Sequence, residues 1–217
     1  MLKGINIHKA YGTLQVLKGI DLTIQKGEVV SIVGASGAGK STLLHIMGTL
    51  DTADQGEVTF NDQPIKSFNS SDLARFRNQH IGFIFQFHNL LPEFTALENV
   101  CLPGFLANTP EEQVKKRAAD LLQMLNLGHR LEHKPSQMSG GEQQRTAVAR
   151  ALINSPEIIF ADEPSGNLDS ANAQELHEIF FRLRDELNQT FVIVTHNGQL
   201  ADMADRKVVM KDGYLVS

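Results

Sequence analysis

Val29-Val30-Ser31-Ile32-Val33-Gly34-Ala35-Ser36-Gly37-Ala38-Gly39-Lys40-Ser41-Thr42 is the stretch on which the reading of the whole chain turns. Val29 to Val33 form a short β-branched run, the pattern of a strand buried on both faces. Gly34 to Ser41 fit G-x-x-x-x-G-K-[ST], and Lys40 opens a helical spacing of apolar residues, with Leu43, Leu44, Met47 and Leu50 expected inside. A glycine-rich turn between strand and helix lets successive backbone N–H groups point at phosphate oxygens, where the positive helix end lies. Lys40 would neutralise the β- and γ-phosphates of a nucleotide, and the Ser41 hydroxyl would ligate Mg2+. Strand before and helix after are the context the motif requires, so the segment predicts nucleotide binding. The loop alone does not separate kinases, GTPases and ATPases.

Working outward, 217 residues suggest one domain able to bury its own core. The 20 Lys and Arg against 25 Asp and Glu give a net charge of −5, which argues against nucleic acid held by a basic field. One cysteine, Cys101, excludes an internal disulfide and a cysteine metal cluster. No apolar run approaches the roughly 18–20 residues of a membrane span, and the amino terminus shows no signal-peptide pattern. These features predict a soluble, intracellular chain that needs another polypeptide to cross any membrane it serves. His129 and His133, four apart with no thiol nearby, do not make a metal pair.

Ile5 to His8 and Gly19 to Ile24 alternate as half-buried antiparallel strands do. Further strands are expected at Glu57–Phe60, Ile81–Phe85, Ile158–Ala161 and Phe191–Thr195, with a terminal hairpin of Lys207–Met210 and Tyr214–Val216 about Asp212-Gly213. One helix should start with Thr109 as N-cap, Pro110 first and Glu112 closing a capping box; it buries Val114, Ala118, Leu121, Leu122 and Leu125 and stops at Gly128. Another follows Ser139-Gly140-Gly141-Glu142, buries Val148, Leu152 and Ile153, and ends before Pro156. A last one runs from about Ser170 to Leu187 with Leu176, Ile179, Phe180 and Leu183 inward. Strands alternating with helices imply a mostly parallel α/β sheet. Residues 87–154 hold helices and no convincing strand, and read as a helical insertion.

Ile158-Ile159-Phe160-Ala161 ends in Asp162-Glu163, two carboxylates at the carboxyl edge where open α/β sheets bind ligands. Asp162 suits an Mg2+ contact through water, and Glu163 suits the base or orienter of an attacking water. Ser139 and Glu142 fit a capping box, but the paired glycines between them weaken a helix start. Two glycines at a helix amino end allow another backbone or an anion to approach closely.

With these segments in order, the chain resembles the nucleotide-binding subunit of ATP-binding-cassette (ABC) transporters over nearly its whole length. Gly34 to Ser41 match the phosphate loop, with Thr42 following, and Ser139 to Gln143 match the signature sequence. Ser165-Gly166-Asn167-Leu168-Asp169 matches the loop that crosses the dimer interface. The resemblance implies a P-loop NTPase (RecA-like) core with a mostly parallel sheet, an antiparallel β subdomain and an inserted α-helical subdomain. Residues 1–86 and 155–217 would form the core with the β subdomain, and 87–154 the helical part. It further implies that Tyr11 stacks on adenine with Val16 packed nearby, that Gln86 senses Mg2+ and the membrane partner, and that His196 contacts the γ-phosphate. Lys40, Gln86, Glu163 and His196 are then the catalytic candidates, and Ser41, Gln86 and Asp162 the metal candidates.

Two such chains would sandwich two ATP molecules head to tail, each held by one chain's phosphate loop and the other's Ser139, Gly140 and Gly141. Five of the twelve Phe fall between Phe83 and Phe105, so the Gln86–Val100 region carries an apolar surface where the family receives a transmembrane permease subunit. Phe87 to Val100, Met138 to Arg145 and Ser165 to Asp169 resemble most the lipoprotein-releasing and macrolide-export subfamily, which implies a peripheral protein on the cytoplasmic face of the inner membrane. The sequence ends at Ser217, which under the same resemblance implies no carboxy-terminal regulatory domain. A macrolide or peptide exporter, or a cell-division complex controlling a cell-wall hydrolase, remain alternatives.

Overall fold

The computed structural model describes residues 1–216; Ser217, cited above for the chain's end, lies outside the described residues. In chain order the elements are β1 (Leu2–Tyr11), β2 (Leu14–Ile24), β3 (Val29–Gly34), α1 (Lys40–Met47), β4 (Gln55–Phe60), β5 (Gln63–Pro64), α2 (Ser70–His80), β6 (Ile81–Phe85), α3 (Ala96–Leu106), α4 (Glu111–Met124), α5 (Gly140–Leu152), β7 (Ile158–Asp162), α6 (Ser170–Leu187), β8 (Thr190–Val194), α7 (Gly198–Met203), β9 (Arg206–Lys211) and β10 (Tyr214–Leu215).

The strands make two sheets. One, ordered β10-β9-β3-β8-β7-β6, is parallel except for the β9–β10 hairpin, whose Asp212 and Gly213 both take positive φ as a tight two-residue turn demands. The other, β2-β1-β4-β5, is antiparallel. Successive side chains of a strand face opposite ways, and here both sides are covered. Ile159, Ala161, Phe191 and Ile193 join α3, α4, α5 and α6 in one core. Ile158, Phe160, Val192 and Val194 join α1 and the antiparallel sheet in the other. This double coverage is why the parallel strands read as unbroken apolar runs. From β6 to β7 the chain is helical, with α3, α4 and α5 packed on one another.

Three expectations fail locally. Leu50 is exposed, because α1 stops at Met47 and the chain turns away through Gly48 and Thr49. Thr109 caps nothing: α4 begins at Glu111 behind Pro110, whose extended backbone (ψ 135°) makes it the boundary residue, and Glu112 closes no capping box. The same helix ends at Met124, not at Gly128, which starts a separate 3-10 turn. Helix α2 has no fully buried residue and therefore no apolar stripe to betray it; its readable signal was Asn69, whose side chain accepts from the Asp72 amide.

Thr49 is β-branched, sits at φ 63°, and its buried hydroxyl has no partner among the described residues. That conformation and the unpaired group each cost stability. Thr49→Gly should raise the unfolding free energy by about 1 kcal/mol, read as a thermal midpoint roughly 2–4 °C higher. A lower midpoint would show that the Thr49 packing outweighs its strain.

Candidate functional site

Register builds the site. Phe85 pairs with Asp162 and Asp162 with Val194, so β6, β7 and β8 end level with one another. The residues that follow, Gln86, Glu163 and Thr195-His196, therefore leave the sheet along one edge. β3 pairs with β8 in parallel and ends at Gly34, which puts the phosphate loop at that same carboxyl edge.

In the loop itself, a Cβ on Gly34 would lie 2.2 Å from the Met210 carbonyl oxygen on β9, so no side chain fits there. Gly39 caps α1 in the left-handed region, without a side-chain cap and without an acidic residue in the first turn. The amides of the first turn are thus left to an external anion. Ala35, Ser36 and Gly37 are exposed and Ala38 is buried. The Lys40 ammonium donates to the carbonyls of Gly34 (2.9 Å) and Ala35 (3.1 Å), arching over the loop it would share with a phosphate.

Ser41 Oγ donates to Asp162 Oδ1 at 3.1 Å, bringing the helix and β7 together. Glu163 follows at φ 47°, a left-handed backbone rare for a residue of this kind. It is held by its amide to Val194 O (2.9 Å), by its carbonyl to Gly166 N (3.0 Å), and by its carboxylate to His196. His196 Nδ1 lies 2.8 Å from Glu163 Oε2, and the His196 amide donates to the same oxygen at 3.2 Å. The ring is 71% exposed while Glu163 is 19% exposed, so the histidine reaches outward from a sheltered carboxylate. Gln86 pairs reciprocally with Asn167: its Nε2 donates to Asn167 Oδ1, and Asn167 Nδ2 donates to the Gln86 carbonyl, both at 3.1 Å.

Val16 lies against Gly39, its carbonyl 3.0 Å from where a Cβ there would sit. Tyr11 stands on β1 and is 52% exposed. Its hydroxyl donates to Asp51 Oδ2 at 2.7 Å, and that bond holds the phenol above its ordinary pKa. The Lys9 ammonium lies 5.2 Å from the ring centroid and 2.9 Å from Asp51 Oδ1. This Lys9–Asp51 clamp is absent from the sequence reading, since nothing at Asp51 marks it as Tyr11's partner.

Ser139, Gly140 and Gly141 are elsewhere. Ser139 Oγ accepts from the Glu142 amide (3.2 Å), and Glu142 Oε2 from the Ser139 amide (2.8 Å), so the capping box is real. Gln143 N bonds Ser139 O, which leaves the Gly140 and Gly141 amides with no partner among the described residues. A Cβ on Gly141 would sit 2.1 Å from Asn172 Oδ1 of α6, so packing within the chain explains that glycine. A Cβ on Gly140 would meet only Leu168, at 3.7 Å, beyond its own helix among the described residues, and packing leaves that openness unexplained. No hydrogen bond or ion pair among the described residues joins this end of α5 to Lys40, Ser41 or Asp162. The structure gathers Lys40, Ser41, Gln86, Asp162, Glu163 and His196 at this edge, and among the described residues the Gly140 and Gly141 amides bond none of them.

Residues 17–166 match the family model described as ABC transporter. The chain belongs to the ABC transporter family. Within it, the chain is 64% identical over 216 residues to the lipoprotein-releasing system ATP-binding protein LolD of Cytophaga hutchinsonii, covering 100% of this chain and 99% of that one. It is 57% identical to the LolD protein of Bacteroides fragilis, with 99% of each covered. A solved dimeric structure of the ATP-binding cassette MJ0796, in a post-hydrolysis state bound to ADP and Pi, superposes at TM-score 0.91 with 40% identity, covering 100% of this chain and 97% of that one. The fold is thus that of an ABC ATPase cassette, and the protein is an ATP-hydrolysing subunit of this family.

Burial acts to raise the pKa of Glu142, but the Ser139 amide and the Arg130 guanidinium, 2.7 Å away, outweigh it and hold the carboxylate below its ordinary value. A carboxylate so held stabilises the fold fully above its unfolded pKa, near 4.5, and loses that contribution as pH falls through the folded value. Melting the parental chain and Glu142→Gln between neutral pH and acid should show a smaller acid loss in the variant. Parallel acid limbs would contradict the assigned role of this carboxylate.

Proposed function

We propose that the chain is the ATPase of a lipoprotein-releasing complex, working as a head-to-tail pair that closes on two ATP molecules and drives a separate membrane subunit. The observation that carries the paired reading is the division of the site. The phosphate loop, Asp162, Glu163, Gln86 and His196 gather at one sheet edge, while the α5 amino end keeps two spare amides that bond none of them. Each ATP would lie on Lys40, Ser41 and Thr42 of one chain, with Tyr11 against the adenine and Val16 beside it, and meet Ser139, Gly140 and Gly141 of the other.

A γ-phosphate set between two helix amino ends binds both subunits at once. Lys40 would exchange the Gly34 and Ala35 carbonyls for phosphate oxygens. Glu163 would orient and deprotonate the attacking water, and His196, already bonded to that carboxylate, would steady it and the charge that develops on the γ-phosphate. Loss of the γ-phosphate removes the shared group, so the pair opens. A hydroxyl, a carboxylate and an amide carbonyl are the hard oxygen donors that Mg2+ takes, and the Ser41–Asp162 contact already joins two of them. Ser41, Asp162 and Gln86 would hold that ion, which supplies positive charge to the β- and γ-oxygens.

The membrane side is supported by the apolar surface after β6. Phe87 is 71% exposed, Leu91 45% and Phe94 36%. Beside them a groove of about 720 Å³ is lined by Leu50, Phe83, Phe85, Leu106 and the arginines Arg77 and Arg150. No helix among the described residues is long and apolar enough to cross a membrane, so the spanning subunit would be a separate chain and this one peripheral on the cytoplasmic face. Residues 87–154 would act as a helical unit inserted in a single cassette domain. The names of the relatives favour lipoprotein release over export or cell-wall signalling.

Glu163→Gln should bind ATP and run as a stable dimer on size exclusion with turnover lost, while Lys40→Ala should lose ATP binding or turnover. Parental hydrolysis by Glu163→Gln would remove Glu163 from the role of base. Leu91→Glu or Phe94→Glu should keep basal hydrolysis and lose co-purification with the detergent-solubilised membrane subunit. Loss of both activities together would assign the surface to the chain's own core.

A further inference from the structure

Gln144, in the second turn of α5, is completely buried. Its Nε2 donates to the Pro164 carbonyl at 2.7 Å and to the Phe85 carbonyl at 3.2 Å, and its Oε1 pairs with His88 Nδ1. Both N–H donors and the oxygen are therefore spent inside the protein, as a buried amide requires. The places they reach are particular. Phe85 immediately precedes Gln86, His88 stands two residues after it, and Pro164 immediately follows Glu163. A second side chain of the same helix, Arg150, donates to the carbonyls of His88 (2.8 Å) and Asn89 (2.6 Å).

Glu163 occupies a left-handed backbone that a non-glycine residue keeps only where its surroundings fix it. Among the described residues, Gln144 is the one buried side chain outside the parallel sheet that bonds both the Pro164 carbonyl, just after Glu163, and the Phe85 carbonyl, just before Gln86. We infer that Gln144 is a positioning residue for Glu163 and Gln86, holding the turns after β7 and β6 at a fixed distance from each other and from the signature helix. The inference rests on the proposed reading that Glu163 activates the water and Gln86 serves the metal. Because α5 begins at Gly140, one side chain ties the end that meets the partner's nucleotide to the residues that act on the chain's own.

The test is steady-state ATP hydrolysis by the full chain carrying Gln144→Leu, with Gln144→Glu as a second variant of nearly unchanged size. Thr146→Val is the control: Thr146 is equally buried on α5 and bonds only Glu142 O of its own helix. A misplaced reacting group costs rate rather than binding, so both Gln144 variants should lose about tenfold or more in kcat with KM for ATP within about twofold. Thr146→Val should stay near the parental kcat. Melting curves accompany each variant. Parental kcat in Gln144→Leu, a fall shared by Thr146→Val, or a fall in step with the folded fraction would each overturn the inference. If Glu163→Gln is inactive while Gln144→Leu is parental, only this inference fails; if Glu163→Gln is itself parental, the reading beneath it fails.

Discussion

The level ends of three parallel strands are the constraint on which the site depends. Phe85, Asp162 and Val194 share one register, so a slip of one residue in any strand would turn its apolar set from one core to the other and carry Gln86, Glu163 or His196 off the edge. Packing therefore specifies the chemistry: Phe160, Phe180, Phe191 and their neighbours are buried on the two faces, and the polar residues are placed as a consequence. The strained turn at Glu163 is the point where that order is paid for, and the bonds to Val194, Gly166, His196 and Gln144 keep it in place.

A single chain supplies one helix amino end to its phosphate loop. The other suitable end, at α5, is capped from within by Ser139 and Glu142 yet keeps its glycine amides open. Asn172 accounts for Gly141, and no contact among the described residues accounts for Gly140. The same loop that follows Glu163 reaches both sides: Asn167 pairs with Gln86, Asp169 caps α6 beside Asn172, and Ser165 Oγ is 3.1 Å from the buried His177. The sheet edge and the amino end of α5 are thus joined within the chain, as the proposed two-chain site would require.

Much of this was legible in the sequence, and for a physical reason. Strands covered on both faces leave unbroken β-branched runs, and a phosphate loop tolerates few residue types, so β3, β7, β8 and the loop announced themselves. The failures have two causes: an adjacent residue that overrides a local pattern, and a partner far away in the chain. Thr109 looked like a cap, but Pro110 fixed the boundary; Leu50 continued a helical spacing that the turn at Thr49 had already ended. Asp51 and Gln144 carry no motif, because their partners lie 40 and 20 or more residues away in the chain. Spacing records local geometry, whereas the clamp on Tyr11 and the bridge beneath Glu163 exist only once the sheet has formed.

The measurement that bears most directly on the two-chain site is ATP turnover per chain across a dilution series at saturating Mg-ATP, with sedimentation run in parallel. Specific activity should climb with chain concentration and level off as the paired species fills, and Gly140→Asp, which has room for its side chain but sets a carboxylate against the phosphate, should stay flat near zero. Constant activity down to concentrations at which only single chains sediment, or full activity in Gly140→Asp, would contradict the account.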